Sequence, residues 1–289
     1  MTSFDSLDAF LARGRSALSH GPIALILIED FAEVESTLAH HLRLGFRQVI
    51  AFAPEALSLP HDLAARITEV RLPAYDPDAA IAAVNAVIAR AAGQWLHYCY
   101  NAEYLFFPFC ETRSVGEMLA FHAEERREAM LSYVIDLYAA DLEHFPDAVS
   151  PESAHLDASG YYALARRDPA TGHPKERQLD FFGGLRWRFE EHVPRERRRI
   201  DRIALFRATT GLRLLADHRF NVEEYNTYAC PWHNNLTAAV CSFRAAKALR
   251  RNPGSADRID SFLWHNSVPF SWHSQQMLDL GLIEPGQWF

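Results

Sequence analysis

A few carboxylates, arginines and histidines carry whatever chemistry this chain can do. Asp136 stands inside an apolar run, Val134-Ile135-Asp136-Leu137-Tyr138. A carboxylate there needs a partner, or is kept for proton transfer; the other reading is the polar end of a strand. Glu190 and Glu191 follow a Gly-Gly turn and are alternative bases. Arg186 and Arg188 alternate in a segment read as a strand, so both point to one face and could grip a phosphate bidentately. Ion pairing with Glu190 or Glu191 is the competing reading. His218, between Asp217 and Arg219, is either structural or a ligand. His233 and the pair His40-His41 have no partners at metal-site spacing. His40 and His41 are adjacent on an expected helix, so one should be buried and the other solvated. The four cysteines, Cys99, Cys110, Cys230 and Cys241, form no CxxC pair. In apolar stretches cysteine behaves as a small hydrophobe, and the pattern suits a reducing, cytoplasmic compartment.

The elements that must position these residues alternate. A short leading helix is expected over Ser6–Leu18, then a break at Gly21-Pro22. The continuous apolar run Ile23–Ile28 reads as a buried parallel strand. A helix over Glu33–Leu44 ends at Gly45, and strands follow at Gln48–Ala53, Thr68–Leu72 and Trp95–Tyr100, with helices at Asp62–Ile67 and Asp76–Ala92 between them. This alternation predicts a parallel sheet with right-handed crossovers. Ligands of such sheets sit beyond the carboxyl ends of the strands. That edge holds Glu29-Asp30, Ala53-Pro54 and Asn101-Ala102-Glu103. Downstream, the sequence predicts a charged helix over Val115–Met130, strands at Ser132–Tyr138, Gly160–Leu164, Phe181–Arg188 and Arg202–Arg207, and an amphipathic helix over Asn234–Arg251. The tail is aromatic, with Trp264, Phe270, Trp272, Trp288 and Phe289; core packing or an oligomer contact explains it most simply, and stacking on sugar rings is the functional alternative.

Composition narrows the function classes. The net charge of −8 argues against a nucleic-acid partner, which calls for a basic stripe. The dense basic run Arg195–Arg202 is interrupted by Glu196 and Asp201 and reads as a solvated segment or an anion-facing loop. No stretch approaches the roughly 18 apolar residues of a membrane span, and the first residues lack the apolar core of a secretion signal.

Several stretches fall into a familiar series. They are Ile28-Glu29-Asp30; Leu38-Ala39-His40-His41-Leu42-Arg43-Leu44-Gly45-Phe46; Trp95 to Leu105; Gly183-Gly184-Leu185-Arg186; and Ala204-Leu205-Phe206-Arg207. The series resembles the family 2-type GT-A glycosyltransferases, whose helix reads "LxEWLxHHLxLGV" and whose fourth strand reads "WxxxxDxDEFL". The resemblance implies an α/β, GT-A-like (Rossmann-like) mixed sheet with central parallel strands flanked by helices over residues 23–251. An N-terminal helix would occupy 1–22 and a helical, aromatic extension 252–289. It implies transfer of a sugar, with inversion, from a nucleotide-diphosphate donor to a glycan or lipid-linked acceptor. Such a reaction needs Mn²⁺ or Mg²⁺, or arginine clamps, for the diphosphate and a carboxylate for the acceptor hydroxyl. Glu29, Asp30, Asn101, Glu103, Arg186 and Arg188 are then the donor-binding candidates, and Glu103 and His218 the metal candidates.

The sequence departs from the family where it matters. The two aspartates of DxD fall on Tyr100 and Ala102, the late histidine falls near Ser242, and an aspartate after the second strand falls near Ala53. A one-residue slip offers Asn101-x-Glu103 instead; Glu103 can equally orient the next loop. Two further readings follow. One is a metal-independent transferase using Arg186 and Arg188. The other is an inactive scaffold that binds a glycan or a partner. A homo-oligomer is left open.

Overall fold

The computed structural model describes residues 2–226 and 235–288. Cys230, His233, the first residue of the expected Asn234–Arg251 helix, and Phe289 lie outside the described residues.

The chain opens with strand β1 (Thr2–Phe4) and helices α1 (Leu7–Arg13) and α2 (Arg15–Leu18). Strands β2 (Ile23–Leu27), β3 (Gln48–Ala53), β4 (Thr68–Arg71) and β5 (Trp95–Tyr100) then alternate with helices α3 (Val34–Arg43), α4 (His61–Ala64) and α5 (Pro77–Ile88). Strand β6 (Glu103–Phe106), helix α6 (Val115–Glu124) and strand β7 (Ala129–Asp136) follow. Next come β8 (Tyr138–Ala139), β9 (Ala154–Asp157), a hairpin of β10 (Tyr162–Arg167) and β11 (Pro174–Phe182), and the single-turn helix α7 (Leu185–Arg188). The chain continues with β12 (Asp201–Arg207), β13 (Ala238–Ser242), α8 (Arg244–Arg251), α9 (Pro253–Ala256), β14 (Ser267–Pro269) and α10 (Ser274–Asp279).

Among the described residues, nine strands form one mixed sheet in the order β1-β4-β3-β2-β5-β12-β7-β13-β6. The run from β1 to β5 is parallel, β12 is antiparallel to both β5 and β7, β13 is parallel to β7, and β6 is antiparallel to β13. The protein is therefore mixed α/β. Strand β2 is buried along its whole length because both faces of the sheet are covered. Leu25 and Leu27 join a core with Phe10, Phe52, Val84 and Tyr98 on one face. Ala24 and Ile26 join Leu38, Ala51, Cys99 and Met118 on the other.

Several expected elements take another form. The N-terminal segment adds an edge strand to the sheet as well as helices, since β1 pairs with β4. The expected Val115–Met130 helix ends at Glu124, with Arg126 in the left-handed region, and the chain re-enters the sheet as β7. The expected Asn234–Arg251 helix is a strand and then a helix: the apolar run Ala238–Ser242 is buried between β7 and β6, where backbone groups pair across strands. Arg186 and Arg188 lie on a helical turn, so the pleat does not bring them to one face. His40 and His41 are both buried, because α3 packs against β6 on one side and the sheet face on the other.

Residues 252–288 do not stand apart. Phe270, Met277, Leu282 and Ile283 share a core with Tyr104, Phe106 and Ile135, Trp288 packs against Phe107 and Phe109, and β14 pairs with β9.

Candidate functional site

Strands β2, β5, β7 and β13 all run the same way, so their carboxyl ends share one edge. Strand β12 runs oppositely and delivers its first residues, Asp201 and Arg202, to that same edge. A cleft of about 940 Å³ opens there. Glu29 and Asp30 after β2, Tyr100 ending β5, Arg202 beginning β12, and Arg244 and Lys247 on α8 line it.

Its floor is a buried polar knot. Glu103 is fully buried; Arg202 Nη2 donates to its Oε2 at 2.7 Å, the Tyr100 amide donates to Oε2 at 2.8 Å, and Ser242 Oγ donates to Oε1 at 3.0 Å. The register explains the meeting, since Ser242 lies opposite Glu103 on one side and Asp136 on the other. Burial alone would raise the Glu103 pKa, but Arg202, Arg244 and the Tyr100 amide outweigh it and hold the carboxyl at about 2. Arg202 Nε is buried with no hydrogen-bond partner among the described residues, and its guanidinium lies 5.4 Å from the Tyr98 ring centre.

Asn101 is also fully buried and holds the loop after β2. Its Oδ1 accepts from the Glu29 amide at 2.9 Å, and its Nδ2 donates to Asp30 Oδ1 at 2.7 Å and to Ala32 O at 2.8 Å. Asp30 in turn takes Lys247 Nζ at 3.0 Å and pairs with Arg251. Its partial burial works against ionisation, yet Lys247 and the hydrogen bonds lower its pKa to about 2. Arg244 grips Glu29 with Nε at 2.7 Å and Nη2 at 2.6 Å and lies 3.7 Å over the Tyr100 ring.

These donors do not fit an oxygen-ligand site for Mn²⁺ or Mg²⁺. Asn101 and Glu103 are saturated beneath the surface, and Glu29 and Asp30 are each matched by cations. Their position in the chain suggests a metal motif, whereas their contacts make them positioning groups. His218 lines the cleft in the left-handed region, stacks on Tyr98 and shares a hydrogen bond at 3.1 Å between its Nδ1 and the Tyr98 hydroxyl. Burial, then Arg202 and Arg244, lower its pKa to about 3, so the ring is neutral near pH 7.

Asp136 is buried at the end of β7. Burial raises its pKa to about 6 against the opposing influence of Arg186. Its Oδ1 accepts no hydrogen bond among the described residues and lies 3.5 Å from Arg186 Nη2, and the Arg186 amide donates to Oδ2 at 3.4 Å. Gly184, at φ +63°, permits this approach, since a Cβ there would sit 2.9 Å from Asp136 Oδ2. Arg186 lines the cleft and so links Asp136 to it.

The other candidates lie elsewhere. Arg188 is held by Asp157 at 2.9 Å and by Phe262 O at 2.6 Å, with its guanidinium 4.7 Å from a Trp264 ring centre. Glu190 is exposed and paired with Arg198, and Glu191 is exposed beside His192. Asp76 caps α5, while Asp78 lines the cleft. Sequence reasoning missed Arg244 and Lys247, and took Arg202 only as the end of a basic run read as solvated or anion-facing. A signal was present for the helix: Arg244, Lys247 and Arg251 recur at i, i+3 and i+7, which is one helical face. The basic run Arg195–Arg202 turns partly inward, since Arg197, Arg199 and Arg202 line the cleft.

Among the described residues, no helix is long and apolar enough to cross a membrane. The chain matches no protein-family model, and no curated protein matches it.

Proposed function

We propose that this protein is a GT-A-like glycosyltransferase that transfers a sugar from a nucleoside-diphosphate donor to a glycan or lipid-linked acceptor, with cationic side chains in place of a divalent ion. The observation that carries the reading is the cleft at the carboxyl ends of the parallel strands, lined by several arginines and a lysine in ion pairs with its carboxylates and floored by Arg202 with an unmatched buried Nε. A buried donor without an acceptor is costly, and a phosphate oxygen supplies one. The mixed sheet with a parallel half is the kind the resemblance implies.

In this reading the diphosphate lies against Arg202, Arg244 and Lys247. Tyr75, exposed at the cleft rim, offers its ring to the base. The acceptor oxygen bonds to the anomeric carbon as the carbon–oxygen bond to the diphosphate breaks. The diphosphate leaves with the electron pair, and fixed cations stabilise its charge. The acceptor proton passes to Asp136, whose raised pKa suits a base near neutrality. Asp136 is buried, so Arg186 must swing aside for the acceptor to reach it.

A second reading is a non-catalytic binder. It is favoured by the saturation of Asn101 and Glu103, which leaves no free carboxylate at the motif. Titration with UDP, GDP and their sugar conjugates by thermal shift, with Mn²⁺ or with chelator, tests both. Stabilisation by one nucleotide that is indifferent to Mn²⁺ is expected. A shift that requires Mn²⁺ overturns the cationic substitution, and no shift at millimolar nucleotide overturns donor binding. Binding without turnover of any conjugate identifies the binder.

A further inference from the structure

On the face of β5 opposite Tyr98 and Tyr100, three other side chains converge. His97 and Cys99 are two residues apart on the strand, so the pleat points both toward α3. There they meet His41. All three are fully buried. Their ligand atoms lie within 4.8 Å of one another, with His41 Nε2 3.2 Å from His97 Nε2 and 3.5 Å from Cys99 Sγ.

The hydrogen bonds around them determine the tautomers. His41 Nδ1 donates to Thr37 O at 2.8 Å, and His97 Nδ1 donates to Ala204 O at 3.0 Å. A carbonyl can only accept, so both Nδ1 atoms carry the proton. In a neutral imidazole, the form that ligates a metal, a proton on Nδ1 leaves Nε2 as the lone-pair atom. Both Nε2 atoms therefore present lone pairs, and they face each other. The Cys99 thiol can donate to only one of them. Neighbouring His40 has no such conflict: its Nε2 donates to Leu105 O at 2.7 Å and its Nδ1 accepts from Arg43 at 3.0 Å.

A cation removes the clash. Two imidazole nitrogens on one tetrahedral ion at ~2.05 Å lie about 3.3 Å apart, and a nitrogen and a sulfur at ~2.3 Å lie about 3.5 Å apart. The His41–His97 and His41–Cys99 separations are close to these values, and His97 Nε2 lies within 4.8 Å of Cys99 Sγ. Thr37 O and Ala204 O are already placed as the outer partners that orient metal-bound imidazoles. We propose that His41, His97 and Cys99 form a buried three-ligand site for a thiophilic transition-metal ion of the zinc or copper(I) class. Binding releases the Cys99 thiol proton, and no electron moves. The site lies on the other face of the sheet from the cleft and does not depend on the function proposed for it.

Elemental analysis for zinc and copper is the first measurement, made on the full chain with any purification tag removed. It is repeated after denaturation in chelator and refolding under reducing conditions with Zn²⁺, Co²⁺ or Cu⁺, then desalting. One ion per chain is expected, and the cobalt form should show thiolate-to-metal charge-transfer absorption. Cys99→Ala and His97→Gln should lose both the ion and the absorption, whereas His40→Gln should keep them. If Cys99→Ala does not fold, the melting temperature of the wild-type chain decides: the metal-loaded protein should unfold at a higher temperature than the same protein stripped by chelator. A wild-type chain that refolds without metal and shows no thiolate band overturns the site. So does metal that Cys99→Ala retains, or an equal melting temperature with and without chelator.

Discussion

Arg202 and Glu103 are each nearly or fully buried and form an ion pair at the cleft floor. Removing one partner of such a pair leaves a buried charge and costs about 3–5 kcal/mol. Arg202→Met should lower the free energy of unfolding by that order in denaturant titrations. The pH dependence follows from the depressed Glu103 pKa. Its ionised form is favoured by folding, so its stabilisation is present above the unfolded carboxyl value of about 4.3 and fades as pH falls toward about 2. The wild-type chain should thus lose stability more steeply than Glu103→Gln across that acid window. Asp136 has the opposite sign. Its pKa is raised to about 6, so folding favours the protonated form, and that contribution disappears as pH rises through about 6. Asp136→Asn should therefore be more stable than wild type at pH 7, by about 3 kcal/mol. If Asp136 is the base, the same variant should abolish transfer, while the wild-type rate climbs with pH through about 6 to a plateau. A variant that gains stability and keeps its rate removes Asp136 from the chemistry.

At the scale of elements, the cleft is made by a reversal of direction. Only because β12 is antiparallel does its first turn reach the edge where β2, β5, β7 and β13 end. Helix α8 then lays Arg244, Lys247 and Arg251 along the rim, and Asn101 holds the loop they pair with. Arg244→Gln and Lys247→Gln should each weaken nucleoside-diphosphate binding about 10–100-fold, the worth of roughly 1.5–3 kcal/mol for a charge-assisted hydrogen bond. Titration calorimetry at two salt concentrations checks this, since the wild-type affinity should fall with salt more than that of either variant.

For the whole molecule, the segment 252–288 contributes Phe270, Met277, Leu282 and Ile283 to the core. Met277 is fully buried among Tyr104, Ile135, Phe243 and Leu282. Met277→Ala should cost about 2–5 kcal/mol in denaturant titrations. A chain ended after Asn252 should fail to yield a cooperative unfolding transition, because Phe270, Leu282 and Ile283 would no longer cover β6 and β13.

Asp136 read either as a buried carboxylate or as the polar end of a strand, whereas the alternation of strands and helices up to Tyr100 and the acidic edge after β2 were legible along the chain. Each rests on local causes: an apolar run, a helical period, a glycine stop. The identity of the site's partners was not, because those contacts join residues far apart in sequence. Arg202 meets Glu103 across 99 positions, Arg244 meets Glu29 across 215, and His41 meets His97 across 56. Position in a motif suggested that Asn101 and Glu103 face a ligand. Tertiary structure decided that both are saturated below the cleft, because β12 and β13 bring Arg202 and Ser242 against one and the β2 loop closes over the other. The same packing buried both His40 and His41, where helical position alone would have exposed one.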